Sequence, residues 1–113
     1  MDLPVLAAVS AGGVLGALAR YGLTAVAPGG IWVTWFINVS GCLLIGALYE
    51  RTQGQRWVRP LLGTGVLGGY TTFSAAMVDT IRAEPVVAVA YCVATLAGAL
   101  LAVWAGSALA RTR

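Results

Sequence analysis

Four apolar stretches, residues 3–26, 31–49, 58–80 and 85–110, follow one another through the 113-residue chain with only short links between them. Each approaches or exceeds the ~20 residues that a helix rising about 1.5 Å per residue needs to cross a hydrocarbon core. Hydrocarbon offers no replacement partners for backbone groups, so each stretch is expected to close its own hydrogen bonds as a helix. The expectation is an all-α membrane protein, one domain over residues 1–113, with four transmembrane helices. Composition agrees: 59% of residues are hydrophobic and 10% charged, with a mean hydropathy of +0.86, whereas soluble domains carry roughly a quarter charged residues. Fifteen glycines suit helices that pack closely in lipid. The links read as turns: Pro28-Gly29-Gly30 in the first, a polar second link at 50–57, and a third that ends at Pro85, a good first helical residue. Trp32, Trp35, Trp57 and Trp104 lie toward segment ends, as interfacial aromatics do. Ala25-Val26-Ala27 has the look of a cleavage site, but Met1-Asp2 lacks a basic residue and Arg20 interrupts the apolar run, so a retained first helix is expected.

Several function classes drop out on residue types alone. There is no His and no Lys, and all seven basic residues are Arg, so no imidazole is present for general-base work or metal ligation. No nucleophile–base pair or carboxylate pair is found, which argues against an enzyme. No Arg-rich stripe interleaved with aromatics exists, which argues against a nucleic-acid partner. Cys42 and Cys92 fall inside apolar segments and read as small polarizable packing residues. With four spans, both termini and the second link share one side, which carries Arg51, Arg56, Arg59, Arg111 and Arg113. The other side has Arg82, with Arg20 near the end of the first helix. That bias predicts cytoplasmic termini in a multi-pass plasma-membrane protein.

The third stretch contains Gly68-Gly69-Tyr70-Thr71-Thr72-Phe73-Ser74. Two glycines followed by two β-branched threonines and a serine are poor material for an unbroken helix. A break at membrane depth is tolerated where freed carbonyls line a site or bind an ion. The third helix is therefore expected to be broken mid-membrane, in a transport device. On the second helix, Thr34, Asn38 and Cys42 recur every four residues and share a face. Asn38 admits two readings, an interhelical hydrogen bond or a donor to an anion stripped of water. On the fourth, Tyr91, Thr95 and Ala99 align in the same way, so two faces outline a polar track. Arg20 either snorkels to the interface or concentrates anions at a pore mouth. Asp79 is either a boundary residue or part of the access route. Phe73, beside the break, has an electropositive ring edge that can face a small anion. Gly12-x-x-x-Gly16 and Gly65-x-x-x-Gly69 are close-contact surfaces for use within the chain or between chains, and oligomerisation is expected because so small a bundle encloses no pore.

Taken together, these segments resemble a known family. Gly12-Gly13-Val14-Leu15-Gly16-Ala17-Leu18-Ala19-Arg20-Tyr21 is similar to the GGxxGAxxRY signature of the Fluc (CrcB) fluoride channel family. The segment from Thr34 through Asn38 to Gly46 resembles its TLxxNxxGSFxxG motif, and Gly68 to Ser74 its GGxTTFS break. The resemblance implies an antiparallel dual-topology dimer that passively exports F⁻ from the cytoplasm. It also implies a structural, untransported Na⁺ at the dimer centre, held by backbone carbonyls at Gly68 and Thr71. It maps the pore lining onto Asn38, Phe73, Tyr91, Thr95 and Thr34, the vestibule arginine onto Arg20, and a usually glutamic position onto Asp79. The chain departs from the pattern at Ala76, where a second phenylalanine is usual, and at Ala99, Cys42 and Val33. Ala76 and the arginine bias together point to a heterodimer with an oppositely oriented paralogue; a homodimer is the alternative. Two other functions compete. A small multidrug-resistance-type exporter needs an embedded carboxylate, which the first helix lacks; a non-transporting assembly subunit leaves the polar faces unexplained.

Overall fold

The computed structural model describes residues 3–27, 30–54 and 57–111. Arg56 and Arg113, counted in the charge bias, and the turn residues Pro28 and Gly29 lie outside the described residues. The elements are α1 (Leu3–Val26), α2 (Ile31–Arg51), a π-helical stretch (Arg59–Leu67) running into the single turn α3 (Gly68–Tyr70), then α4 (Phe73–Arg82) and α5 (Pro85–Arg111). They form four spans long and apolar enough to cross a membrane, and no strand occurs among the described residues. The longest dimension is 45 Å, close to the about 40–45 Å of a bilayer with its headgroups.

Helix ends follow local chemistry. The second helix runs past residue 49 to Arg51, where the Thr52 N–H and hydroxyl both donate to the Leu48 carbonyl, at 3.0 and 2.6 Å. Arg59 then closes the polar link. Its Nη2 donates to the Tyr49 carbonyl at 2.6 Å and its Nε to Thr52 Oγ1 at 3.4 Å, while its guanidinium lies 4.7 Å from the Tyr49 ring centre. These bonds satisfy carbonyls that a helix C-terminus leaves without partners. Pro85 opens α5, where its missing N–H costs nothing.

The spans pair as first with third and second with fourth, each pair parallel. A Cβ on Gly12 would strike Leu61 O, Val66 N and Gly65 Cα, and one on Gly16 would strike Val66 O and Tyr70 N. In the same way Gly46 lies on Val103 and Ser107, and Gly106 on Leu43 and Ala47. Both GxxxG surfaces are therefore used within the chain, Gly12 on Gly65 and Gly69 on Gly13. In lipid no hydrophobic force drives helices together, and backbone approach over glycine supplies the dispersion contact instead. Fully buried large side chains are accordingly few, Tyr91 and Ile37, while Val14, Leu18, Ile81, Leu100 and Trp104 face outward. Trp35, one turn into α2, is half-buried, and its indole N–H donates to the Ala94 carbonyl at 2.9 Å, tying α2 to α5.

Candidate functional site

The third span loses its helix at Thr71 and Thr72, both extended (φ/ψ −80/156 and −148/115). The glycines themselves stay helical, with Gly68 at −63/−39. The sequence points to the glycines as the weak place; in the structure they serve close packing instead, since a Cβ on Gly69 would strike the Gly13 carbonyl. Thr72 starts the next helix as its N-cap, its hydroxyl accepting from the Ala75 N–H at 3.2 Å. Thr71 closes the preceding one, its N–H and hydroxyl both donating to the Leu67 carbonyl at 3.0 Å.

What holds the break open is Asn38. Its Nδ2 donates to the Thr72 carbonyl at 3.0 Å, and its Oδ1 accepts the Thr72 N–H at 2.7 Å. One buried amide (8% exposed) thus replaces both backbone partners that Thr72 lost. Of the two readings of Asn38, the interhelical hydrogen bond is present, and one of its two N–H groups remains for a ligand. The Ser40 and Tyr70 hydroxyls share a second bond between α2 and α3, at 3.0 Å. Arg20 takes neither expected role alone: its Nε donates to the Gly69 carbonyl at 3.2 Å, placing a cation on the C-terminal end of the interrupted helix.

Beside the break lies a cavity of about 390 Å³. Asn38, Thr71, Thr72, Phe73 and Thr95 line it, so α2, the break, α4 and α5 all contribute. Ala76, 1% exposed, and Ala99 line it too; small residues leave that volume unfilled. Thr34 is half-buried and does not line this cavity, so it stands apart from the track that its spacing from Asn38 suggests. Phe73 is 77% exposed, on the outward rim.

Two hydroxyls stand out. Tyr91 is 0% exposed, Thr95 is half-buried, and neither Tyr91 OH nor Thr95 Oγ1 makes a well-formed hydrogen bond among the described residues, although the Thr95 and Asp79 side chains stand beside the Tyr91 hydroxyl. Tyr91 packs edge-on against Trp32 at 5.9 Å, with Asp79, Thr95 and Cys92 among its electrostatic neighbours. A buried polar group without a partner costs about 1–3 kcal/mol and calls for a ligand or an ion. Sequence reasoning missed Thr72 and Tyr70 as site residues. Thr72 acts through its main chain, which no side-chain pattern reports, whereas the Ser40–Tyr70 pair falls within segments already marked as polar.

A helical membrane protein with a broken span, its main chain held open by a neighbouring amide, and a polar track beside the break: that is the class defined by fold and site. The chain belongs to the CrcB family, whose profile, described as "CrcB-like protein, Camphor Resistance (CrcB)", matches residues 7–107. It is 49% identical over 124 aligned residues to "Fluoride-specific ion channel FluC 2" of Thermobifida fusca (strain YX), covering 99% of this chain and 92% of that one. It is 52% identical over 97 residues to "Fluoride-specific ion channel FluC 1" of Rhodococcus jostii (strain RHA1), covering 86% and 77%. With "Fluoride-specific ion channel FluC" of Pseudomonas fluorescens it shares 39% identity, covering 96% and 98%. Those relatives bear ion-channel names, and the multidrug-exporter reading has no counterpart among them.

Proposed function

We propose that this chain is a subunit of a fluoride-specific channel through which F⁻ leaves the cytoplasm down its gradient. The observation that carries this reading is the pair of buried hydroxyls at Tyr91 and Thr95 that lack a well-formed hydrogen bond, with Thr95 lining the same cavity as Asn38 and its spare N–H. Fluoride is small and strongly hydrated, so a pore must replace its water with close donors. Two hydroxyls and an amide N–H are such donors, and the ring edge of Phe73 adds a weakly positive contact. Arg20, tied to Gly69, supplies positive potential near the break, and Asp79 stands beside Tyr91 on the access route.

The chain is one half of this channel. Phe73 and the open side of the cavity need a second subunit to close them, oriented antiparallel so that the two broken helices meet. The partner is a second copy or an oppositely oriented paralogue. The arginine bias and the small Ala76 favour the paralogue, and homologous chains numbered FluC 1 and FluC 2 are in keeping with it. A structural Na⁺ suits the same junction. Gly68 is exposed, and Thr71, with ψ at 156, turns its carbonyl out of the helix, so neutral main-chain oxygens are available to a hard monovalent cation. When bound, the ion would neutralise facing carbonyl dipoles and fix the two breaks together.

Ion-selective electrodes on proteoliposomes holding this chain, alone and with its paralogue, test the reading. Fluoride efflux with no chloride efflux is expected. Equal rates for the two anions would overturn it. Robust efflux by the chain alone, with tagged termini on both faces of the membrane, would favour the homodimer.

A further inference from the structure

A second groove, of about 370 Å³, runs along the outside of the bundle between α2 and the π-helical stretch. Leu44, Ala47, Leu48 and Arg51 line it from α2, at the i, i+3, i+4 and i+7 positions of one helix face, and Leu62 and Val66 line it from the third span. At about 1.5 Å per residue, the α2 side of this strip is about 10 Å long. It begins among apolar side chains and ends at one guanidinium. A helix turns about 100° per residue, so the strip is centred about 130° round α2 from Asn38. A subunit that closes the cavity beside Phe73 therefore leaves this flank to lipid. Arg51 also differs from its neighbours at this end of the bundle. Arg59 is held by Tyr49 and Thr52, and Arg111 stands 3.7 Å from Glu50, whose other oxygen accepts from Ser107. Arg51 is exposed and makes no ion pair or side-chain hydrogen bond among the described residues, and no Asp or Glu lines the groove.

We propose that this groove holds one phospholipid with a singly anionic headgroup, its phosphodiester on Arg51 and an acyl chain along the apolar strip. In a bilayer the chain gains only packing, because it leaves hydrocarbon for protein. Headgroup choice therefore falls to Arg51. The planar fork of a guanidinium meets phosphate oxygens two at a time. A choline or ethanolamine headgroup brings its own cation, which competes for the phosphate and repels the arginine; a glycerol headgroup does not. Basic pockets between membrane helices on the cytoplasmic side suit anionic lipid in the same way. One cation matches one negative charge. The site rests on the groove and its free arginine, and it stands whichever ion the protein passes.

The test uses the purified full-length protein in detergent micelles that hold equal amounts of phosphatidylglycerol and phosphatidylcholine with identical acyl chains. After gel filtration, retained lipid is counted per chain by mass spectrometry. One phosphatidylglycerol per chain is expected, favoured at least about 5-fold over phosphatidylcholine, as one well-placed basic residue allows. Arg51→Gln should bring that ratio to within about 2-fold of unity. Arg82→Gln, an exposed arginine at the opposite end of the third span, should leave it unchanged. Ala47→Leu fills the hollow while keeping the charge, and should lower retained phosphatidylglycerol at least about 3-fold through lost chain packing. Leu62→Trp replaces it if its thermal midpoint falls. Excess glycerophosphoglycerol, the headgroup without chains, should displace no lipid. A wild-type ratio near one, a ratio unmoved by Arg51→Gln, or retention untouched by the groove-filling variant would each overturn the proposal. Displacement by the chainless headgroup would overturn it too, leaving a phosphate-binding arginine only.

Discussion

At the scale of single residues, Asn38 and Tyr91 make opposite demands. Asn38 commits its carbonyl and one of its two N–H groups to Thr72, so its removal should cost stability first. In Asn38→Leu two main-chain groups lose their partner inside the bundle, at about 1–2 kcal/mol each. A lower thermal midpoint in detergent checks this, and Asn38→Asp, which keeps the acceptor and loses the donor, should fall between. Tyr91 carries a hydroxyl with no well-formed hydrogen bond among the described residues. Tyr91→Phe should leave the midpoint unchanged within about 0.5 kcal/mol, or raise it slightly, while fluoride efflux from proteoliposomes drops at least about 10-fold, the loss of one good donor. A joint fall in midpoint and efflux would assign Tyr91 to structure. Both residues were legible in the sequence as polar groups inside apolar runs. Their difference was not, because it depends on which partners the main chain offers, and Thr72 offers its backbone alone.

At the scale of elements, glycine sets the spacing of the bundle. Gly16 lies directly on the Val66 carbonyl and the Tyr70 N–H, whereas Gly22, on the same helix, has nothing within 4 Å of the place where a Cβ would be. Gly16→Ala should therefore cost about 1–3 kcal/mol through overpacking. Gly22→Ala should be neutral or stabilise by up to about 1 kcal/mol, as alanine is the better helix former. Thermal midpoints of the two variants check the contrast. The four spans could be read from length and apolarity with ends within two residues, since those signals are additive along the chain. The π-helical form of Arg59–Leu67 could not. A wider coil shows itself in the sequence only by changing the apolar period, and a segment with apolar side chains and glycines all round has no period to change. The break was legible as a region, yet it fell on the threonines instead of the glycines: Thr72 could cap the next helix and borrow Asn38, while Gly69 was needed against Gly13.

At the scale of the whole molecule, the polar track opens on a side that the chain does not close. Phe73 is exposed there, and the Thr71 carbonyl near it is one of those proposed to hold Na⁺. Exchanging Na⁺ for the large organic cation N-methyl-D-glucamine should lower both the fraction of paired subunits and the fluoride efflux, by about 10-fold or more if the ion contributes the about 1.4 kcal/mol that a tenfold change requires. Light scattering and flux measured together check this; unchanged pairing and flux would remove the ion from the junction. Nothing within one chain's sequence displays such a junction, since in the proposed dimer its second half lies on another molecule.

The pairing of the first span with the third and of the second with the fourth also sets an order on synthesis. Spans leave the ribosome one at a time, so the newest one never finds its partner immediately before it: α1 waits through the whole of α2, and α2 waits until α5 is made. Between those moments the nascent chain holds a lone glycine-notched helix in the bilayer. The Asn38 amide of α2 is without Thr72 until the third span is made, and only then is the break braced.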